Sequence, residues 1–346
     1  MATNTTESVL TYIKDHPLRS SKEIHDGLGG SAAYATVKRV LNNLRSDNLV
    51  NTEGKGKATK YIISPSFQLH NPIGLDQYFE KEQDERQIKN TFDFELITNV
   101  LTNVKLFTAA EQQHIDALHS KFTDNVSHLS APSFNKEMER LAIDLSWKSS
   151  QIEGNTYSLL ETERLLREKE TAAGKPKDDA TMLLNHKEAI NFIVEHPDYV
   201  MPLTIRAIED IHSLLIKDLE VDRNIRQRRV GISGTNYMPL ENEHQIRDAL
   251  NEMCALVNRK ENVLEKSLLS LVLLSYIQAF ADGNKRTARI VSNALLIAYH
   301  YCPISFRTVD SIEYKKAMLL FYEQNNISAF KKIFIDQFEF AVNTYF

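Results

Sequence analysis

Residues 278–289 read Gln278-Ala-Phe280-Ala-Asp282-Gly283-Asn284-Lys285-Arg286-Thr-Ala-Arg289. They decide the fold because they join two helices of unlike character. Upstream, Leu268 to Ile277 is apolar nearly all round, the pattern of a helix buried in a bundle. Downstream, a helix over 284–299 sets Ile290, Val291, Ala294, Leu295 and Ala298 on one buried stripe. Between them Gly283 permits a tight turn with positive φ. The first N–H groups of the second helix, Asn284 to about Thr287, then point outward without partners, which makes an anion site. Lys285, Arg286 and Arg289 add three cations, which are unfavourable at a helix N-terminus unless an anion is present. Arg286 and Arg289, three apart, share a face. Asp282 is a hard oxygen ligand beside that pocket, and one carboxylate plus phosphate oxygens is how Mg²⁺ is usually held. Phe280 is expected to face the core and anchor the turn. The alternative is a basic helix start whose cations pair with Asp or Glu elsewhere.

The rest of the chain suits a soluble, mainly α protein of about two domains. Of 346 residues, 42% are hydrophobic and 25% charged, which is ordinary for globular chains. The polar N-terminus lacks a basic region followed by an apolar run, and no stretch is apolar enough to span a bilayer, so no membrane partner is expected. Two cysteines, Cys254 and Cys302, are too few for a disulfide framework or zinc site, and a cytoplasmic location is expected. The net charge of −5 is uneven. Residues 1–64 carry nine Lys/Arg against six Asp/Glu, and the remainder 32 against 40.

Residues 1–66 resemble a winged helix-turn-helix. Val9, Leu10, Tyr12 and Ile13 stripe a first helix. Ser20 and Glu23 form a capping box for a second, which Gly29-Gly30 ends. Ser31 is expected to cap a third, with Val37, Val40, Leu41 and Leu44 inward and Tyr34, Thr36, Lys38 and Arg39 on the other face. Leu49-Val50 should pair with Tyr61-Ile62-Ile63 across a hairpin carrying Lys55, Lys57 and Lys60. In such domains the third helix enters the major groove and the wing touches phosphate, so double-stranded DNA is a candidate partner. A protein-docking module is the alternative.

Residues 67–130 read as a helical connector. Pro65, Pro72 and Gly74 break regularity, and the charged run Glu80 to Lys89 reads as a solvated helix face. Residues 131–346 form the second domain, almost wholly helical, interrupted chiefly at Pro132 and at 172–178. Asn135 to Ser150 is amphipathic and ends in Ser149-Ser-Gln-Ile-Glu153-Gly154. Gly154 suits a helix C-terminus, but Glu153 sits where the helix dipole disfavours a carboxylate, so it needs a cation or stays exposed.

The loop at 278–289 resembles the motif of Fic-type AMP-transferases, His-x-Phe-x-(Asp/Glu)-Gly-Asn-(Gly/Lys)-Arg-x-x-Arg. The similarity extends over most of 90–346 and implies a Fic-type helical bundle. Ser149, Glu153 and Gly154, in a helix at about 135–155, look like the family's inhibitory helix signature. Val230-Gly231-Ile232-Ser233-Gly234 looks like the start of its β-hairpin flap, which holds a target segment by strand-like pairing. The resemblance implies ATP as ligand, with Asp282 on Mg²⁺, Asn284, Arg286 and the Gly283 backbone on the phosphates, Lys285 as an added cation there, and Arg289 on the γ-phosphate or paired with Glu153. It also implies a protein substrate with a hydroxyl side chain, which could be the chain itself, and a homodimer.

Two departures stand out. The family's general base is His, and here Gln278 holds that position. An amide has no useful basicity near neutral pH, and general-base catalysis is worth about 10²–10⁴-fold. His186 and His212 are expected to be structural rather than substitutes. Lys285 in place of Gly resembles the Doc branch, which transfers phosphate rather than AMP. The leading expectation is an ATP- and Mg²⁺-binding, protein adenylyltransferase-like chain, restrained by Glu153 and slowed by Gln278. The alternative is a nucleotide-sensing, DNA-binding regulator or antitoxin-like pseudoenzyme. A hydrolase that removes the modification ranks third.

Overall fold

The computed structural model describes residues 2–46 and 49–346, with backbone alone at 2–4 and at Lys57. The chain divides into two compact units, 1–72 and 73–346. The stretch 67–130 expected as a connector is shared between them.

In the first unit, α1 (Ala2–Asp15), α2 (Ser21–Gly27) and α3 (Tyr34–Ser46) precede an antiparallel hairpin of β1 (Val50–Glu53) and β2 (Lys60–Ile63). Val50 lies opposite Ile63 and Glu53 opposite Lys60. The capping box at α2 forms as expected: Glu23 N–H donates to Ser20 Oγ, and Ser20 N–H donates to the Glu23 carboxylate at 2.8 Å. Ser31 is not the cap of α3. Gly29 and Gly30 both hold positive φ and lengthen the turn, so the helix starts at Tyr34 with the Ala33 carbonyl accepting from Thr36 and Val37. Val9, Ile13, Ile24, Val37, Leu41 and Val50 fill the core between helices and hairpin. A short α4 (Pro65–His70), capped by Ser64, closes the unit.

The second unit is helical: α5 (Leu75–Phe79), a π-helical turn at Leu96–Val100 leading into α6 (Leu101–Asn103), α7 (Ala109–Ser127), α8 (Ala131–Ile152), α9 (Leu159–Glu168), α10 (Lys177–Glu195), α11 (Ile205–Leu215), α12 (Glu243–Arg259), α13 (Val263–Ile277), α14 (Asn284–Ala298), α15 (Ser311–Gln324) and α16 (Ser328–Tyr345). Pro132 sits just after the expected interruption, which falls at 128–130 between α7 and α8. It occupies the first turn of α8, where the missing N–H costs nothing, with Ser130 as cap. The organising element is α13, in which every residue from Val263 to Ile277 is buried. It packs most extensively on α14, and also on α12 and α15, while α14 also contacts α8, α10 and α11.

Two expectations fail here. The segment 230–239 is not a β-hairpin, since β1 and β2 are the only paired strands among the described residues. It runs as a loop with a turn at Ser233-Gly234. Its backbone is engaged elsewhere: Met238 N–H donates to Asn90 O at 2.8 Å, and Pro239 has no N–H to pair. The charged run at 80–89 is not a solvated helix face either. It contains only a 3₁₀ turn at Gln83–Glu85, and Arg86 is buried in an ion pair with Glu323.

Leu271 lies fully buried midway along α13. Leu271→Ala is expected to destabilise the second unit by about 2–5 kcal/mol through lost burial and the cavity left behind. Urea unfolding followed by circular dichroism should show a lower midpoint with an unchanged slope.

Candidate functional site

The turn expected at 278–283 is present. α13 ends as Gln278 enters the left-handed region (φ 53), and Gly283 repeats it (φ 78) as the residue before α14. A Cβ at Gly283 would approach His212 Cε1 to 3.2 Å, so position 283 is restricted by space as well as by φ. Phe280 is buried and stacks on the His212 ring at 3.6 Å, the anchoring role read from the sequence. Asn284 closes the turn: its Oδ1 accepts from Phe280 N–H at 2.8 Å and its Nδ2 donates to Phe280 O at 2.7 Å. The Gln278 side chain belongs to the same lock. Its Nε2 donates to Ser275 O at 2.6 Å and its Oε1 accepts from Asn284 Nδ2 at 3.2 Å.

The turn forms one wall of a cleft of about 390 Å³. Asp282 to Arg286 line it, together with Gln278 and Glu153. Val230, Gly231, Ile232 and Ser233 line it as well. Gly234 lies just outside, against Leu319. Sequence reasoning missed α15, whose Tyr314, Lys315, Met318, Leu319 and Tyr322 also line the cleft. The aromatic spacing of Tyr314 and Tyr322, two turns apart, was the available signal.

The cations divide by what they touch. Arg289 has no exposed surface. Its Nε donates to Ser149 Oγ at 2.7 Å, and its Nη2 donates to Ser149 O at 2.9 Å and to Glu153 Oε1 at 2.8 Å. Lys285 Nζ donates to Glu153 Oε2 at 3.4 Å. Burial raises the Glu153 pKa, but the charges of Arg289 and Lys285 outweigh it and hold the carboxyl below its usual range. Glu153 caps α8 and Gly154 follows at φ 101, as their sequence suggests. Arg286 is buried and donates from Nη2 to Asp282 Oδ2 at 3.0 Å, while its Nη1 is buried without a partner. The helix start behind it carries no side-chain cap. A buried guanidinium donor beside open helix-terminal N–H groups fits a phosphate. The side chain of Asp282 is 66% exposed, leaving its second oxygen open toward the cleft and suited to Mg²⁺.

Neither histidine weighed as a replacement base lines the cleft. His186 Nε2 lies 2.7 Å from Ser149 Oγ, fully buried, and burial pushes its pKa well below the ordinary value. Ser149 Oγ, which accepts from Arg289 Nε, is thus also in hydrogen-bond contact with a neutral His186. His212 Nδ1 meets Thr287 Oγ1 at 3.1 Å, and burial lowers its pKa to about 4.

On the first unit, Tyr34, Thr36, Lys38 and Arg39 all lie on α3. Lys38, Arg39 and Lys55 are exposed, and Thr36 is half-buried. Tyr34 is partly tied down by Ser21, whose Oγ is 3.0 Å from its hydroxyl, and by Lys38 over its ring. The side chain of Lys57 lies outside the described residues.

Residues 202–296 match the model of the Fic/DOC family, and residues 2–67 match that of the penicillinase repressor. The chain is 25% identical to a protein adenylyltransferase Fic of Nematostella vectensis over 84% of its own length and 71% of that relative. It is 22% identical to the Drosophila melanogaster protein of the same name, over 82% of its own length and 62% of that relative. Among solved structures it is similar to Fic-1 from C. elegans (TM-score 0.58, 17% identity, 68% of this chain and 71% of that one). It is also similar to a Fic-domain signalling protein from Bacteroides thetaiotaomicron (TM-score 0.58, 20% identity, 66% of this chain and 94% of that one). The chain therefore carries a Fic/DOC domain and an N-terminal winged-helix domain.

His212 ties the site to pH. Its folded pKa of about 4 lies below the ordinary histidine value of 6.5, so the folded form stays neutral while the unfolded chain takes up a proton as pH falls. Its contribution is fully present above pH 6.5 and is lost as pH falls toward 4, amounting to about 2 kcal/mol by pH 5. His212→Phe, which keeps a ring against Phe280, should flatten the decline in stability between pH 7 and pH 5 in denaturant titrations.

Proposed function

We propose that this chain, built on a Fic/DOC domain behind a winged helix of the penicillinase-repressor kind, binds ATP with Mg²⁺ and transfers AMP slowly to a protein hydroxyl, under restraint by Glu153. The observation that carries the reading is the split between the two arginines. Arg286 keeps an unpartnered buried donor facing the site, so a phosphate has a ready partner. Arg289 Nη1 is likewise buried without a partner, but Arg289 is not among the residues lining the cleft and its other two nitrogens are engaged by Ser149 and Glu153, so a γ-phosphate must displace the carboxylate to reach it. Lys285 strengthens the same latch from the other carboxylate oxygen.

In the proposed reaction an acceptor hydroxyl oxygen attacks the α-phosphorus, the bond to the bridging oxygen breaks, and pyrophosphate leaves. Asn284, Arg286 and the Gly283 backbone would orient the phosphates, and Val230 to Gly234 would receive the acceptor segment. Asp282 would hold Mg²⁺, which when bound neutralises phosphate charge. The acceptor proton has no base at 278, because the Gln278 amide is not basic and is committed to Ser275 and Asn284. It must pass to water, so positioning and electrostatics alone would support the rate. The same observation favours a second reading, a nucleotide-sensing regulator whose winged helix binds double-stranded DNA through Lys38, Arg39 and Lys55. The chain spans about 60–71% of the curated relatives considered, and its acceptor, its cytoplasmic location and its pairing into a homodimer are likewise proposals.

Intact mass after incubation with Mg-ATP tests the transfer. Glu153→Gly should gain AMP faster than wild type, and Glu153→Gly/Gln278→His faster still, within the roughly 10²–10⁴-fold that a general base supplies. A gain of phosphate instead would assign the Doc-type reaction. No gain in the double variant would leave the sensor reading. Calorimetry should show ATP affinity lost in Arg286→Ala, and unchanged affinity would remove the phosphate assignment.

For the winged helix, a mobility-shift assay should show duplex binding that weakens as salt rises, with Lys38→Ala and Arg39→Ala weakening it across all sequences. Binding that ignores salt would point to protein docking.

A further inference from the structure

The flap-like segment lacks the strand pairing that would hold a hairpin in shape, yet it is not left free. Three separate contacts tie its far half to residues 83–91. Arg86 is the hub. Its Nε and Nη2 donate to Glu323 Oε2 and Oε1 at 3.0 and 2.9 Å, a bidentate pair almost without exposed surface. The same Nη2 donates to Gly234 O at 2.5 Å, at the turn of the segment. Glu323 is held in turn by the Tyr78 hydroxyl at 2.7 Å, and its own carbonyl accepts from Lys89 N–H at 2.8 Å. Two residues past the turn, Asn236 Oδ1 accepts from Gln83 Nε2 at 2.6 Å and Asn236 Nδ2 donates to Asp84 Oδ1 at 2.8 Å. Two residues further, Met238 N–H donates to Asn90 O, and Thr91 bridges to Met238.

Glu323 also adjoins Tyr322 on α15, whose face lines the cleft. One guanidinium therefore links the end of a cleft-lining helix to the turn of the cleft-lining loop. We propose that residues 83–91 form a strap that fixes the loop 230–238, and that Arg86 is its positioning residue, holding Val230 to Ser233 at the cleft rim in place of the missing hairpin bonds. The strap rests on contacts of this chain alone. Only its consequence, an acceptor-docking loop kept ordered before any acceptor arrives, rests on the proposed function. A bidentate fork carrying a third acceptor is a task for Arg and not for Lys, whose ammonium is a point donor. The charge run read as solvated is thus partly structural wiring for the site.

Hydrogen–deuterium exchange on the full chain tests this. Asn236→Ala removes two strap bonds at an exposed residue and leaves the buried ion pair intact, while Arg86→Lys keeps the charge and loses the fork. Both variants should speed exchange of the 230–238 amides about ten-fold or more by local opening, with α13 amides unchanged. Calorimetric affinity for Mg-ATP should stay within about two-fold of wild type, since neither residue touches the turn that faces the phosphates. Unchanged exchange at 230–238 in Asn236→Ala would overturn the strap. Faster exchange spread equally into α13 and α14 would make Arg86 a general stability residue and overturn its positioning role. Wild type that fails to bind Mg-ATP at all would sink the nucleotide reading while leaving the exchange result to decide the strap.

Discussion

A guanidinium with no exposed surface has to be matched, and the arrangement of this site follows from how Arg289 is matched. Taking an unpaired ion out of water costs several kcal/mol after relaxation, so the fold must bring acceptors to it. It brings Ser149 through both its hydroxyl and its carbonyl, and the Glu153 carboxylate, from the last turn of α8. That requirement sets where α8 ends relative to α14. It also explains why Glu153 tolerates the negative end of a helix dipole, since the cations of Arg289 and Lys285 outweigh the dipole at that point. The neutral, fully buried His186 contacts the same Ser149 hydroxyl through Nε2 at 2.7 Å and adds no charge beside Arg289.

The turn in front of Arg289 is a second, independent constraint. It needs two left-handed residues, a stacked anchor and a side chain that closes on the backbone. Gln278, Gly283, Phe280 and Asn284 supply them. Gln278 is thereby more than the absence of a base. Its amide can donate to Ser275 O while accepting from Asn284, and a His ring in the same place, with one donor and one acceptor at fixed angles, would have to divide these duties differently. A residue that removes basicity also stiffens the phosphate-facing turn.

Much of the candidate site was legible in the sequence, and the reason is locality. Positions 278–289 place their groups within one turn and one helix start, where φ limits, helix periodicity and unsatisfied N–H groups act over a few residues. The capping box at Ser20 and Glu23, the hairpin at 50–63 and the buried character of α13 were readable on the same grounds. The failures were not local. Segment 230–239 has the Gly and Tyr content of a hairpin, but its backbone partners lie near residue 90, so no paired strands form. The run 80–89 has the charge of a solvated helix face, but its single arginine is matched by a glutamate 237 positions away. The lining contributed by α15 went unread because the spacing of Tyr314 and Tyr322 reads equally well as core.

The sequence by itself determined the turn, its anion-facing helix terminus and the missing base, because each depends only on the residues that compose it. Tertiary structure alone decided what the charges answer to. Arg289 could have met a ligand, a water or a carboxylate, and it meets Glu153 from 136 positions away because α8 packs against α14. Charge pairing follows distance in space, and distance in space is set by how helices bury their apolar faces, which no stretch of twelve residues encodes.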